Sequence, residues 1–284
     1  MRQGIAAYGR QASFAIPATV FLAFVFAVPL IGIAIESFRE ATGGGEFTLA
    51  AYIKILTTPL FLRVAYTTLE ISLGASITSL LLAYPIAYFL WRQPPQRRAF
   101  YMILVLVPFW TSSLVKVFSF IVLLGQSGII NQLFGAVGIP PIKMLFNRFG
   151  VFAGMSHFLI PFLVFPILAS LQKQPPELAK AAAMMGAGKL RIFLRVTLPL
   201  SLPGVAAGFL LVFIISLSFY VIPATLGGRT DIMIANLVNF YARELLDWPM
   251  ASAVAVFIVA VAVITSMLLA KIQGRSSLLG GGQN

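Results

Sequence analysis

ELAKAAAMMGAGKLRIFLRVTLPLSLPG, residues 177–204, is a polar, basic stretch punctuated by glycine and proline between two strongly apolar segments. Gln174-Pro175-Pro176 stops the helix before it. Pro176 at a first helical position, followed by Glu177 against the positive end of the helix dipole, starts a new one. Ala179 to Met185 has high helix propensity, and Gly186 and Gly188 supply the left-handed or open backbone that ends a helix. A second short helix over Lys189–Thr197 is expected to put Leu190, Phe193 and Leu194 on one face. Pro199 is expected to end it, and Pro203-Gly204 leads into the next apolar run. Two short helices at an angle, alanine on the first and bulkier apolar residues on the second, make a knob suited to a partner's groove. On composition alone, the same segment reads as a loop whose apolar side packs on its own bundle.

The rest of the chain says what such a loop connects. Of 284 residues, 60% are hydrophobic and only 10% charged, and the mean hydropathy is +0.96. That composition excludes a soluble domain of this size and implies an all-α polytopic membrane protein. Six segments are long and apolar enough to cross roughly 30 Å of hydrocarbon, near 13–36, 65–91, 99–124, 150–171, 204–226 and 249–271, with the loop occupying 172–203. Arg2 and Arg10 precede the first, as in a secretory signal, but the apolar stretch is too long and no small-residue cleavage site follows, so it reads as a retained span. No linker divides the chain, so 1–284 reads as one transmembrane domain; Gly43-Gly44-Gly45 is an expected exposed turn and Gly280–Asn284 an expected frayed tail.

Charge sets the orientation. With the N-terminus inside, the inner segments hold Arg2, Arg10, Arg92, Arg97, Arg98, Lys173, Lys180, Lys189, Arg191, Arg195, Lys271 and Arg275 against the single acid Glu177. The outer segments hold Arg39, Lys54, Arg63, Lys143, Arg148, Arg229 and Arg243, offset by Glu36, Glu40, Glu46, Asp231, Glu244 and Asp247. Basic residues are retained on the cytoplasmic side of short loops, so both termini are expected there. The net charge of +12 is then a topology signal facing anionic lipid headgroups and not a nucleic-acid surface.

Several chemistries drop out. The chain has no cysteine and one histidine, His157, which excludes disulfides, thiolate sites and a multi-histidine metal site. Gly188-Lys189 imitates the end of a phosphate-binding loop, but Leu190 stands where Ser or Thr must hold magnesium, and Ala183 stands where the earlier glycine is required. Ser113-Leu114-Val115-Lys116 has the spacing of an acyl-serine enzyme without the companion motifs. No carboxylate pair suggests an active site.

Counted from Gly186, Lys180-Ala181-Ala182 lies six to four residues before it, and Val196, Leu198 and Pro199 lie ten, twelve and thirteen after it. This register resembles the EAA loop of bacterial ABC importer permeases: Glu-Ala-Ala, three residues, Gly, nine residues, Ile, one residue, Leu-Pro. Lys180 departs from the acid and Val196 from the isoleucine. Tyr84 to Phe120, and Gly227-Gly228 to Asp247-Trp248-Pro249, resemble the first permease subunit of spermidine/putrescine importers, and the likeness covers roughly residues 13–271.

The resemblance implies a type I importer fold with the last five spans as its core. It also implies an assembly with a second permease subunit, an ABC ATPase dimer and a periplasmic or lipid-anchored solute-binding protein in a bacterial inner membrane. ATP and magnesium would sit on the ATPase, with no cofactor on this non-catalytic chain. Glu177, Lys180, Ala181, Ala182, Gly186, Leu198 and Pro199 become the coupling residues. Glu177 stands in for the missing acid one helical turn before Lys180.

Ionisable groups at membrane depth mark a pathway by default, which singles out Glu70, Lys116 and His157. Glu70 and Lys116 otherwise compensate each other or pair with the second permease, and His157 serves as an interhelical hydrogen-bonding group. For a cationic amine, Phe109, Trp110, Phe219 and Tyr220 offer aromatic faces. An unpaired Lys116 facing the lumen would repel a cation, which leaves a zwitterionic or phosphonate-bearing amine open as solute. The competing reading is a self-sufficient secondary carrier or channel, which would show discontinuous helices or an internal repeat.

Overall fold

The computed structural model describes residues 2–40 and 46–280. Its helices are α1 Arg2–Glu36, α2 Ala50–Thr57, α3 Pro59–Trp91, α4 Pro95–Trp110, α5 Ser113–Leu124, α6 Ile129–Ala136, α7 Arg148–Gln172, α8 Pro176–Met184, α9 Lys189–Ile192, α10 Leu198–Leu217, α11 Val221–Leu226, α12 Ile234–Asn239 and α13 Trp248–Gly280. Single π-helical turns occupy Phe193–Thr197 and Phe240–Glu244. Among the described residues the only extended pairing is an isolated antiparallel bridge, Arg39 with Phe47. The Gly43-Gly44-Gly45 turn and the tail after Gly280 lie outside the described residues.

Six helical segments among the described residues are long and apolar enough to cross a membrane: Thr19–Glu36, Pro59–Trp91, Ser113–Ala136, Arg148–Gln172, Lys189–Leu217 and Trp248–Met267. The all-helical, six-span reading holds, but two spans differ from expectation. The apolar run over 99–124 is not one helix. It breaks at Thr111-Ser112, whose backbone is extended, three residues after Pro108, and the Thr111 hydroxyl donates to the Pro108 carbonyl at 2.8 Å. The run over 204–226 breaks at Ser218–Tyr220. There the Ser218 and Phe219 N–H groups close tight turns on Ile215 and Ser216, and Asn236 Nδ2 donates to the Tyr220 carbonyl at 3.2 Å. Such breaks at membrane depth require their backbone groups to be satisfied by protein or by a cavity.

The fifth span also begins earlier than expected. Pro199 does not end a short helix; Lys189 to Leu217 runs on as one helical segment. The π turn at Phe193–Thr197 prepares for the proline, since the Leu198 N–H reaches back to the Phe193 carbonyl. Pro199 then sits in the first turn of α10, where its missing N–H is tolerated.

The chain forms two compact units. One comprises the described parts of Met1–Pro59 together with Leu237–Val259. Within it the Ser37 hydroxyl lies 2.7 Å from that of Tyr52 and donates to the Ala34 carbonyl. Asp247 caps α13, accepting from the Met250 N–H at 2.9 Å, which is why Asp-Trp-Pro opens that helix.

The other unit, Leu60–Asn236 with the described part of Ala260–Asn284, is built around α7. Val151, Met155, Leu159, Leu163, Ile167 and Leu171 recur every four residues and are fully buried. Against α7 lies α10, brought close by small residues. A Cβ at Gly204 would come within 2.4 Å of the Ser170 Cβ and 2.5 Å of the Pro166 carbonyl oxygen. Lipid is as apolar as leucine, so close packing rather than the hydrophobic effect holds such helices together, and glycine permits it. The buried face of α3 follows the same rule with Ser72, Ala75, Ser76, Ser79, Ala83 and Ala87. The Ser76 and Ser79 hydroxyls donate to carbonyls four residues back.

Candidate functional site

The first site is the segment joining α7 to α10. Met185 is the C-cap of helix α8, and Gly186 follows with φ +81°. The Gly186 N–H donates to the Ala183 carbonyl and the Ala187 N–H to the Ala182 carbonyl, each at 3.0 Å. That pair is a Schellman motif. It gives the Ala182-to-Gly186 spacing a physical reason: the left-handed residue must stand four positions after the residue whose carbonyl closes the turn. Gly188 then caps α9, its carbonyl accepting from Ile192.

The segment has an anchored side and a bare side. Phe193 meets the rings of Tyr84 and Tyr88 edge to face at 5.9 and 5.3 Å. The Tyr84 hydroxyl lies 2.9 Å from that of Ser201, and Gln174 Nε2 donates to the Thr197 carbonyl at 3.0 Å. Phe193 is therefore turned inward, separated from Leu190 and Leu194, with which it was expected to share a face; those two remain exposed. Met184 and Met185 are 83% and 88% exposed, and Glu177 and Lys180 are exposed on α8. A cavity of about 290 Å³ separates Ala179, Lys189 and Phe193 from Tyr88, Trp91 and Arg92 at the end of α3. Arg98 fixes that end by donating to the carbonyls of Leu90, Trp91 and Gln93. Of the seven expected coupling residues, five (Glu177, Lys180, Ala181, Ala182 and Gly186) lie on α8 and its closing turn, while Leu198 and Pro199 open α10.

The second site lies where the two broken spans meet. Ser113, Lys116, Phe158, Ser218, Phe219 and Tyr220 are among the residues lining a cavity of about 320 Å³. Lys116 is 7% exposed, with Nζ 4.7 Å from the centroid of the Phe158 ring. Such a contact is worth roughly 2 kcal/mol when desolvated, less than the several kcal/mol that burying an ammonium costs. Phe158 in turn touches Phe219 and Phe162, and Phe109 touches Phe162. Of the expected pathway residues, Lys116, Phe219 and Tyr220 are thus brought together, Phe109 adjoins them through Phe162, and Trp110 is exposed at the break.

Glu70 is elsewhere. It pairs with Arg148, which also donates from Nε to Asp231 Oδ1 at 3.1 Å. Glu70 and Lys116 therefore do not compensate each other. The buried Asp231 also accepts from the Gly228 N–H at 2.8 Å, and a Cβ at Gly228 would lie 2.8 Å from the Phe146 carbonyl oxygen. Arg148 and Asp231 were read only as topology charges, because a partner 83 residues away leaves no mark in local spacing. Among the described residues His157 makes no interhelical hydrogen bond: its Nδ1 is buried without a partner, and its ring rests on Phe120 at 5.5 Å.

Residues 79–276 match the family described as binding-protein-dependent transport system inner membrane component. The spermidine/putrescine transport system permease protein PotB of Escherichia coli K12 is 33% identical over 212 residues, 74% of this chain and 77% of that one. The protein of the same name from Haemophilus influenzae is 31% identical over 241 residues, 83% and 84% of the two chains. A chain from a bacterial alginate ABC transporter, solved in complex with its alginate pentasaccharide-bound periplasmic protein, superposes with a TM-score of 0.73 at 18% identity. The match covers 97% of each chain and establishes likeness of fold.

Proposed function

Because the chain belongs to the family of binding-protein-dependent transport system inner membrane components, we propose that it is the transmembrane permease subunit of an ATP-driven importer. Its cargo is a polyamine or a related amine, as the names of its relatives suggest. The single observation that carries this reading is the docking knob: a Schellman-closed helix with methionines bare at its tip, leading into a segment that Phe193 anchors on Tyr84 and Tyr88 of α3 and Gln174 anchors on Thr197.

In this reading the exposed face of α8 and α9 enters a groove on one subunit of an ATPase dimer, which holds the ATP and magnesium. The chain itself is non-catalytic and binds no cofactor. Glu177 makes the acidic contact that Lys180 cannot. Ala181, Ala182 and Gly186 shape the docking helix, and Leu198 and Pro199 pass its displacement into α10. A second permease completes the pathway, with α1 wrapped against it. A periplasmic or lipid-anchored binding protein delivers the solute, and both termini lie on the cytoplasmic side of a bacterial inner membrane, as the basic residues direct. ATP drives the cycle by binding one conformation of the assembly better than the other.

The broken spans at 111–112 and 218–220 are also what a self-sufficient carrier would show. The test is affinity purification of the tagged chain in mild detergent, with identification of co-purifying proteins and an ATPase assay of the eluate. Recovery of an ATPase and a second permease is expected. A homogeneous chain without ATPase, with uptake following an ion gradient, would favour the carrier.

A further inference from the structure

The chain has eight acidic residues, and among the described residues none forms an ion pair with Lys116. Glu36 pairs with Arg39, Glu70 and Asp231 with Arg148. Asp247 caps α13, and Glu177 stands on the docking helix. Lys116 Nζ instead lies over the face of Phe158, with the His157 ring nearby. Yet the Lys116 residue is more than nine-tenths buried and lines the cavity at the two helix breaks. A second feature of the same sign adjoins it. Helix α5, twelve residues long, begins at the break with Ser113 on the cavity wall, so the positive end of its dipole lies at the same place.

A cavity with this polarity repels a plain di- or polycation. We propose that the cavity recognises an acidic group on the transported amine, so that the cargo is zwitterionic: an aminoalkyl carboxylate or phosphonate whose anion pairs with Lys116 while its ammonium faces Tyr220 and Phe219. This rests on the reading of the chain as an amine importer and narrows its substrate class. The sheltered setting favours the recognition, because a charge-assisted hydrogen bond is strongest where little water competes for it.

The test uses cells carrying the complete importer, with uptake of labelled putrescine compared with that of γ-aminobutyrate and aminoethylphosphonate. The binding protein is common to all variants, so its own selectivity cancels between them. Uptake of a zwitterion in preference to the diamine is expected. Lys116→Gln should raise the KM for that zwitterion at least ten-fold, Lys116→Arg should restore it, and Lys116→Glu should turn the preference towards putrescine. The amount of second permease recovered with each variant reports assembly. Putrescine uptake alone, independent of Lys116, overturns the proposal and leaves the amine importer standing. Uptake of neither class, with no stimulation of ATP hydrolysis by either, overturns both. Loss of the second permease from Lys116→Gln, or a carbodiimide cross-link from Lys116 to it without solute, would assign the lysine to a subunit contact and overturn the proposal also.

Discussion

Replacing Gly186 separates the geometry of the docking turn from its chemistry. Its φ is +81°, and a Cβ there would meet nothing within 4 Å, so alanine adds no clash and only the backbone objects. Left-handed backbone costs an L-residue roughly 1–2 kcal/mol, which lowers the ratio of closed to open turn about five- to thirty-fold. Asparagine tolerates that region better and should lose less. If docking requires the closed turn, uptake per ATP hydrolysed in proteoliposomes should fall in the order wild type, Gly186→Asn, Gly186→Ala, the last by about ten-fold, with the complex still recovered intact. Gly186→Asp shares the tolerance of asparagine but adds a charge to the exposed tip. It should assemble and hydrolyse ATP while transporting little. Equal coupling in the alanine and asparagine variants, or normal uptake by Gly186→Asp, would refute the reasoning.

Other perturbations probe the same contacts. Asp231→Ala removes the acceptor of Arg148 Nε and the Gly228 N–H. It should lower stability by about 2 kcal/mol, in the range for hydrogen bonds to charged groups, with Asp231→Asn milder in a thermal melt of the complex; matching melts for all three would exclude the bridge as a stabilising element. Gly204→Val should cost about 1–3 kcal/mol by overpacking where the Ser170 Cβ and Pro166 oxygen already crowd the site, and an unshifted melt would mean that α7 and α10 separate freely. Glu177→Lys should reduce recovery of the ATPase far more than Lys180→Glu does; the reverse order would show that Glu177 has not taken over the acidic contact. Tyr84→Phe removes the bond to Ser201 and should cost about 1 kcal/mol, measured as earlier unfolding of the complex in denaturant.

What the sequence revealed was local. Ala182 and Gly186 belong to one turn, so their spacing carried the structure, and the apolar runs declared the spans because hydrocarbon thickness fixes helix length. What it concealed was pairing at a distance and the context of prolines. Glu70 finds Arg148 across 78 residues, where no periodicity reaches, and Lys116 was recognised as out of place without its neighbours being visible. Pro199 was misread because a proline ends a helix only if the preceding turn cannot spare a hydrogen bond, and here the π turn at Phe193–Thr197 can. The break at Thr111-Ser112 lay hidden because serine and threonine can hide inside a span by bonding their own backbone, as Ser76 and Ser79 do.

The continuity of Lys189–Leu217 has a mechanical meaning. Its 29 residues make a rod about 43 Å long at 1.5 Å per residue, with the docking turn at one end and the Lys116 cavity at the other. Tilted by about 10° around its middle, a rod of that length sweeps each tip through about 4 Å. In the importer proposed above the segment would act as a lever, a short stroke at the docking turn giving an equal shift beside the cavity.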